Sequence, residues 1–406
     1  MMSSDLAAPA GLKGRRRLSD GELKLLLDAQ ARHVAGGGGK RMSLPFVDFS
    51  GLDLAGRDLS GADFTGSVFD AARLSGTRLV GANLSGCDLR GADLRHADLS
   101  RANLRGACLT GANLLGANLT EADLRPGKMA RPHPSKGFPA VVEEPRASHL
   151  DGALLSGATL DHSRLDGLYA AGADLSDCSL RGARLADANL RGAILADAAL
   201  AGAELGGADL SNADFSGADL GGVSLATART SGAKLARVRQ PPGRPAVLRA
   251  AQLVRQAKGH DAWVRTGGKD GKPTVLDGED LRPALVELKG LRLTAISARR
   301  ACLAGLDLSG VHLQGANLEG SDLRSADLSG ADLRGVRLAG ADLTRADLTG
   351  AVLSALPLGP GRSTPANLTG ARMRYARLGG AVFDDAVLDD IDARGCQPPL
   401  QRTLHL

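Results

Sequence analysis

Large rings are scarce in this sequence, with seven Phe, two Tyr and one Trp among 406 residues. An interior that leans on aromatic bulk is therefore excluded, and something regular and small-celled must replace it. Cysteine is also sparse: the five present include no CxxC pair, which excludes a disulfide framework or structural zinc site and fits a reducing compartment. No window approaches 18 consecutive apolar residues, and the opening MMSSDLAAPAGLKGRRRLSDGEL lacks an apolar run of leader length before its basic cluster. The expectation is a soluble, cytoplasmic chain with no membrane insertion. The eight histidines show neither HxxxH nor HExxH spacing, so no metal and no cofactor are expected, and Gly36 to Lys40 (GGGGK) reads as a linker because it lacks the spacing of a phosphate loop.

What the chain has in excess is glycine, 54 residues, and a period. Ala-(Asp/Asn)-Leu-x-Gly recurs every five residues over most of its length. From Phe49, Leu54, Leu59 and Phe64 to Leu124, every fifth residue is Leu or Phe. A second block in a shifted frame runs from Leu150 to Leu235, interrupted at Ala170 and Thr230. A third runs from Leu288 to Leu388 with weak centres at Ala298 and Ser363, and Pro357 and Pro360 mark a bulge in it.

Five matches neither the 3.6 of a helix nor the 2.0 of a simple strand, so the chain must turn once per unit. Glycine, two residues after most centres, supplies the positive φ of a type II turn. Between turns alternation points the centre and the residue two before it inward, which makes Leu and Ala the core. Four short faces close a coil of about 20 residues, with coils stacked about 4.8 Å apart. Phe49 and Phe69, 20 apart, are then expected to stack ring on ring. Cys87 and Cys178 fall on the inward Ala position, where a thiol is only a small apolar group.

Units such as Ala92-Asp93-Leu94, Ala112-Asn113-Leu114, Ala208-Asp209-Leu210 and Ala331-Asp332-Leu333 make the chain resemble the pentapeptide-repeat proteins. The resemblance implies an all-β solenoid, a right-handed quadrilateral β-helix, here with short capping α-helices, and it leaves function open.

The organisation follows from where the period fails: an N-terminal tail and capping helix (1–45), repeat block 1 (46–125), an extruded Pro-rich loop (126–147), block 2 (148–237), a linker and second capping helix (238–275), block 3 (276–395) and a C-terminal tail (396–406). Ser19-Asp20-Gly21-Glu22 is a capping box opening the first helix, which carries Leu23, Leu26 and Leu27. The second starts at Pro245 and runs through Leu253 and Val254 to His260. A shift of 227 superposes Leu26 on Leu253 and His33 on His260, so both read as one device, a lid over an open β-helix end. Trp263 is expected to pack the second lid onto its coil.

Basic charge sits in the lids and loop, not in the coils. Residues 1–45 hold eight Lys and Arg against four acids, whereas 148–237 hold seven against eleven. Asp and Arg alternate along the walls, as in Asp88-Leu89-Arg90, so no direct nucleic-acid binding is expected, although Lys13 and Arg15 to Arg17 form a short basic cluster. In block 3, Glu287, Asp307, Asp327 and Asp347 recur every 20 residues and are expected to form an acidic ladder on one face, with Asp322 and Asp342 on the adjacent one. Arg334, Arg337, Arg372, Arg374 and Arg377 are expected to form a basic face on the opposite side.

Function is expected to be that of a non-enzymatic rigid scaffold for an unidentified protein partner, with homodimerisation through a terminal coil as a further option. The resemblance also raises a DNA-mimicking protector of gyrase or topoisomerase, and more weakly an adaptor in a secretion or envelope-associated system. The mimic is charge-poor: about 60 Å of duplex carries roughly 36 negative charges, far above the small net deficit of blocks 1 and 2.

Overall fold

The computed structural model describes residues 15–132, 139–236, 238–239, 242–284 and 287–398. The chain divides into two compact units, Met1–Pro241 and Pro242–Leu406.

Each pentapeptide makes one short extended face and one turn. At Leu54-Ala55-Gly56-Arg57 the Arg57 N–H donates to Leu54 O at 3.2 Å and Gly56 has φ +66°, a type II turn with glycine at its third residue. Neighbouring coils then pair in parallel, as where Leu54 N–H donates to Arg73 O at 2.8 Å and Arg73 N–H to Leu52 O at 2.9 Å. In unit 1 the register advances by 20 residues per coil from Ser43↔Asp63 to Asn103↔Asp123, so four faces close each coil. Leu54, Leu59, Phe64, Ala62, Ala72 and their successors are almost wholly buried. Phe49 and Phe69 stack with centroids 4.7 Å apart and planes 4° from parallel, and Phe64 meets both edge-on at 5.5 and 5.3 Å.

Where a polar side chain takes the inward Ala place, it finds a backbone carbonyl, of its own coil at Ser163 and Ser321 and of the coil before it at Thr77, Cys87 and Cys178. Thr77 Oγ1 donates to Leu54 O at 2.9 Å, Cys87 Sγ to Phe64 O at 3.0 Å and Cys178 Sγ to Leu155 O at 2.9 Å. Burial pushes the Cys87 thiol up to about 12. These thiols are core atoms.

The segment read as a loop at 126–147 is instead an antiparallel hairpin, β3 (Gly127–Pro132) with β4 (Pro139–Arg146). Chain that leaves a corner and returns to it must pair its own backbone, and the hairpin does so. The ladder steps over it from Cys108↔His149 to Asp123↔Arg164 and then resumes its 20-residue advance to Asp219↔Arg239. The exit is tight: a Cβ on Gly127 would lie 2.7 Å from the Arg105 carbonyl carbon.

Unit 2 runs from Val275↔Ser297 to Arg377↔Gln397. A second hairpin, β5 (Leu356–Gly359) with β6 (Arg362–Thr364), leaves its wall, and the register jumps there to Arg337↔Asn367. This corrects the reading of block 3. Leu358 and Ser363, counted as centres, lie in the hairpin, with Leu358 well exposed. The insertion is two units of five, so the period reads straight through it.

A lid opens each unit. Helix α1 (Asp20–Val34) carries the expected capping box at Ser19 and Glu22, and α2 (Arg244–Arg265) extends past His260. Two-residue strands β1 (Arg16–Arg17) and β2 (Val47–Asp48) pair in parallel beside α1. The helices do correspond, but not at a shift of 227. His33 is exposed, and the counterpart of His260 is Gln30, since both are buried and both clamp the first coil. Gln30 Nε2 donates to Ser60 O at 2.9 Å and its Oε1 accepts from Met42 N–H at 2.7 Å. His260 lies 3.0 Å from Thr294 O through Nε2, and its Nδ1 accepts from Thr274 N–H at 3.1 Å. The shift is 230, one helical turn from the sequence alignment, and it places Leu23 on Leu253 and Leu27 on Ala257, all packed against their cores. Trp263 is half-buried in α2 with its ring 5.7 Å from that of His260.

Candidate interaction surface

On every face the residues immediately before and after the centre point outward, so the walls are built from those two positions. An Asp or Asn before the centre accepts the backbone N–H of the residue after it, as Asp58 Oδ1 does from Ser60 at 3.0 Å. When that second residue is Arg, its guanidinium folds back as a fork. Arg95 donates through Nε to Asp93 Oδ1 at 2.8 Å and through Nη2 to Oδ2 at 2.7 Å. Arg90, Arg125, Arg282, Arg324, Arg334 and Arg394 repeat the geometry on the Asp two residues before each. The Arg95 fork holds the Asp93 carboxyl below the usual range and raises its own guanidinium. Other acids pair one coil away, among them Asp53 with Arg73 at 3.2 Å and Asp58 with Arg78 at 3.4 Å. The Asp–Arg alternation read from the sequence is therefore a set of local ion pairs that leaves much of the wall neutral.

The acidic ladder of unit 2 is only partly as expected. Asp307, Asp327 and Asp347 are consecutive ladder partners on one face. Glu287, however, is taken by Lys258 of α2 at 2.6 Å, Asp307 by Lys289 at 3.0 Å and Asp347 by Arg377 at 3.1 Å. Hydrogen bonds from Ser309, followed by Lys289, hold the Asp307 carboxyl down. The basic face does not form. Arg377 is the next ladder partner of Asp347, on the acidic face itself. Arg334 forks onto Asp332 of a second face, Arg337 pairs with Asn367 on a third, and Arg372 with Arg374 lies on the fourth, where Arg374 meets Asp392 at 2.5 Å. The cause is the ejected hairpin: removing ten residues from a 20-residue coil moves everything after it half a turn, which carries Arg377 from the far wall to the acidic one. Asp322 and Asp342 are ladder partners on the face adjacent to the acids, with Asp322 forked by Arg324.

The N-terminal basic residues are likewise engaged. Arg16 pairs with Glu22 at 2.7 Å, Arg17 with Asp48 at 2.8 Å, and half-buried Arg15 donates to Gly66 O. Lys13 and the tail from 399 lie outside the described residues.

Two wall features were not anticipated. One is a groove of about 440 Å³ at the foot of the β3–β4 hairpin, lined by residues including Pro126, Ala147, Tyr169, Asn189, Asp209 and Arg229. Two of its polar groups pair, Asp209 lying 3.4 Å from Arg229 and accepting also from Ser211 outside the groove, and the Tyr169 ring rests 5.1 Å from that of His149. The other is a face of unit 1 that exposes Leu115, Leu154 and Ile194. The signal for it was in the sequence, since Leu154 and Ile194 occupy a place where the repeat prefers Asp or Asn.

With the geometry in view, the comparisons decide the family. The model for pentapeptide repeats matches residues 48–86, 87–125, 164–195, 193–229, 301–339, 326–355 and 366–396, more than half of the chain. The chain is a pentapeptide-repeat protein. The four-sided coils of this pentapeptide-repeat protein are accordingly those of a right-handed quadrilateral β-helix, with each helical lid an addition to that plan. Among solved structures, QnrB1, a plasmid-mediated fluoroquinolone resistance protein, is 18% identical over 52% of this chain and 99% of its own, with a TM-score of 0.28. HetL, a pentapeptide-repeat protein involved in heterocyst differentiation regulation in the cyanobacterium Nostoc sp. strain PCC 7120, is 23% identical over 93% and 96%, with a TM-score of 0.15. Rfr23 of the cyanobacterium Cyanothece 51142 is 29% identical over 33% and 90%, with a TM-score of 0.20. A search of curated proteins gives no match. None of the helices among the described residues is long and apolar enough to cross a membrane.

Proposed function

We propose that this pentapeptide-repeat protein is a rigid, non-enzymatic scaffold that presents its walls to a protein partner. The observation that carries the reading is the division of labour within each unit. The interior is a column of Leu, Ala and Phe, and many of the outward carboxylates are committed to forks and turns within the chain. Acid–base or nucleophilic chemistry needs polar groups converging on a concave site, and in the groove beside the β3–β4 hairpin Asp209 is already engaged by Ser211 and Arg229. A regular wall with local departures from neutrality suits recognition by shape and patch.

The gyrase-protecting DNA mimic has less support, because mimicry asks for carboxylates that are free along the coils, and many of those in both units are paired to Arg or Lys. Self-association through the last coil of unit 2, where Phe383, Leu388 and Ile391 are only partly buried, is compatible with the scaffold role. Affinity capture of the full chain from its native cell extract, beside a gyrase supercoiling assay, tests the proposal. Stoichiometric recovery of a partner without any effect on supercoiling supports the scaffold. Rescue of supercoiling with gyrase subunits captured promotes the mimic, and turnover of a small molecule by the purified chain sinks both.

A further inference from the structure

Among the described residues, the coils of unit 1 expose Leu235, a centre of the last coil, and four large apolar side chains of the walls, Leu115, Leu154, Tyr169 and Ile194, of which three share one face. That face carries the ladder Asp53, Arg73, Asp93, Asn113, Leu154, Asp174, Ile194, Asp214, Lys234 in the position before the centre. Its charges are matched almost throughout. Asp53 meets Arg73 at 3.2 Å, Asp93 is forked by Arg95, and Asp214 meets Lys234 at 3.3 Å. Asp174 differs. It lies between Leu154 and Ile194, its Oδ1 accepts only the Ser176 N–H at 3.0 Å, and it makes no ion pair among the described residues. The column after the centre is low in relief there, being Ser156, Ser176 and Ala196, with the two Ser hydroxyls 3.1 Å apart. Leu115 flanks this strip one coil earlier. The result is an apolar–acid–apolar row beside a shallow floor on an otherwise charge-paired wall.

The period of that row selects its occupant. Coils repeat about every 4.8 Å and an α-helix about every 5.4 Å, so a helix laid along the stack keeps step within about 1.2 Å over two coils. An extended strand, at about 3.3 Å per residue with alternate residues facing away, would present a contact every 6.6 Å and fall out of step sooner.

We propose that this face is a docking site for an amphipathic helix of a partner protein, with a basic residue one turn from each of two apolar ones, in the pattern Leu-x-x-x-Lys-x-x-Leu. The Lys or Arg meets Asp174 while the flanking apolar residues cover Leu154 and Ile194. The inference rests on the scaffold reading and adds to it the place and chemistry of the partner.

The test is fluorescence anisotropy of the full chain with two labelled helical peptides on an Ala/Gln background, one bearing Leu-x-x-x-Lys-x-x-Leu and the other with Glu in place of Lys. The expected result is binding of the Lys peptide at least ~10-fold tighter than the Glu peptide, with the preference reversed by Asp174→Lys. Leu154→Ser with Ile194→Ser should weaken both by ~10-fold or more, with thermal unfolding unchanged because both side chains point outward. Equal binding of the two peptides, no binding up to about 1 mM, or a preference untouched by Asp174→Lys overturns the proposal. If the double Ser variant unfolds, the charge reversal alone decides, since it leaves the apolar residues in place. Native-extract capture that survives Asp174→Lys removes this site and leaves the scaffold standing, whereas absence of any partner from wild-type capture removes the scaffold itself.

Discussion

Helix α1 closes the first coil of unit 1 with the amide of Gln30, and α2 closes that of unit 2 with the imidazole of His260. Each side chain spans the same two backbone groups, a carbonyl of the first full coil and an N–H of the segment returning from the helix. An amide carries donor and acceptor at once, and a neutral imidazole does so with its proton on Nε2, so unlike residues serve one geometry. A glycine follows each helix and passes so close that a Cβ would collide with the helix backbone, Gly39 against Ala29 O and Gly271 against Gly259 O. What lies beneath differs. The first coils of unit 1 hold three mutually packed Phe rings, whereas those of unit 2 are aliphatic, with Leu276, Leu281, Leu288 and Leu293. The lesson is that a β-helix end is closed by a pattern of satisfied backbone groups, which several residue types can meet, and not by a particular sequence.

The comparison breaks first at the glycines. Gly271→Ala should cost roughly 3 kcal/mol or more in denaturant unfolding, because it adds backbone overlap to a left-handed φ of +74°. Gly39→Ala, where φ adds no strain, should cost about 1 kcal/mol less, and equal losses would mean that overlap alone decides. Next, Gln30→Leu and His260→Leu should each destabilise by roughly 2–3 kcal/mol by leaving a buried N–H and carbonyl without partners. The exchanges Gln30→His and His260→Gln should each cost less than their Leu counterparts, and the 230-residue correspondence fails if they cost as much.

The far ends sharpen the contrast through pH. Asp392, in the last coil of unit 2, accepts from Arg394 at 2.8 Å and Arg374 at 2.5 Å, and these guanidinium hydrogen bonds hold its carboxyl far below the usual range. A depressed carboxylate contributes stability that is complete above the unfolded value of about 4 and is lost as pH falls below it. Acid titration followed by amide exchange should therefore show loss of protection at Met373 and Leu378 below about pH 4, and Asp392→Asn should flatten that limb. The smallest effect is at the caps. Ser19→Ala, which removes the capping box of α1, should lower stability by about 1 kcal/mol, whereas Gly243→Ser at the start of α2, which has no side-chain cap, should add only a few tenths.

Much of the fold was legible because a five-residue period constrains every unit alike. Leu54, Ala62 and Gly56 have their inward places and their turn assigned by spacing alone, and the Phe49–Phe69 stack follows by counting 20. The walls were less legible. The period places Arg372, Arg374 and Arg377 as if no residue left the coil, and Leu358 and Ser363 keep that count alive inside a hairpin. The lids were equally hard to align, because His33 matches His260 by name while Gln30 matches it by place. The apolar face was visible as Leu154 and Ile194 in Asp positions, but its meaning depends on which neighbours are paired.

Wherever a unit stays in the coil, the sequence by itself determined which atoms are buried, since the side-chain period and the turn chemistry are local; Leu358, ejected in a hairpin, is an exception. Only the tertiary structure decided which coils stack on which across each hairpin, and hence which charges meet. An insertion at a corner changes rotation about the stack axis without changing any unit, so wall chemistry is set by register between coils and core chemistry by the unit alone.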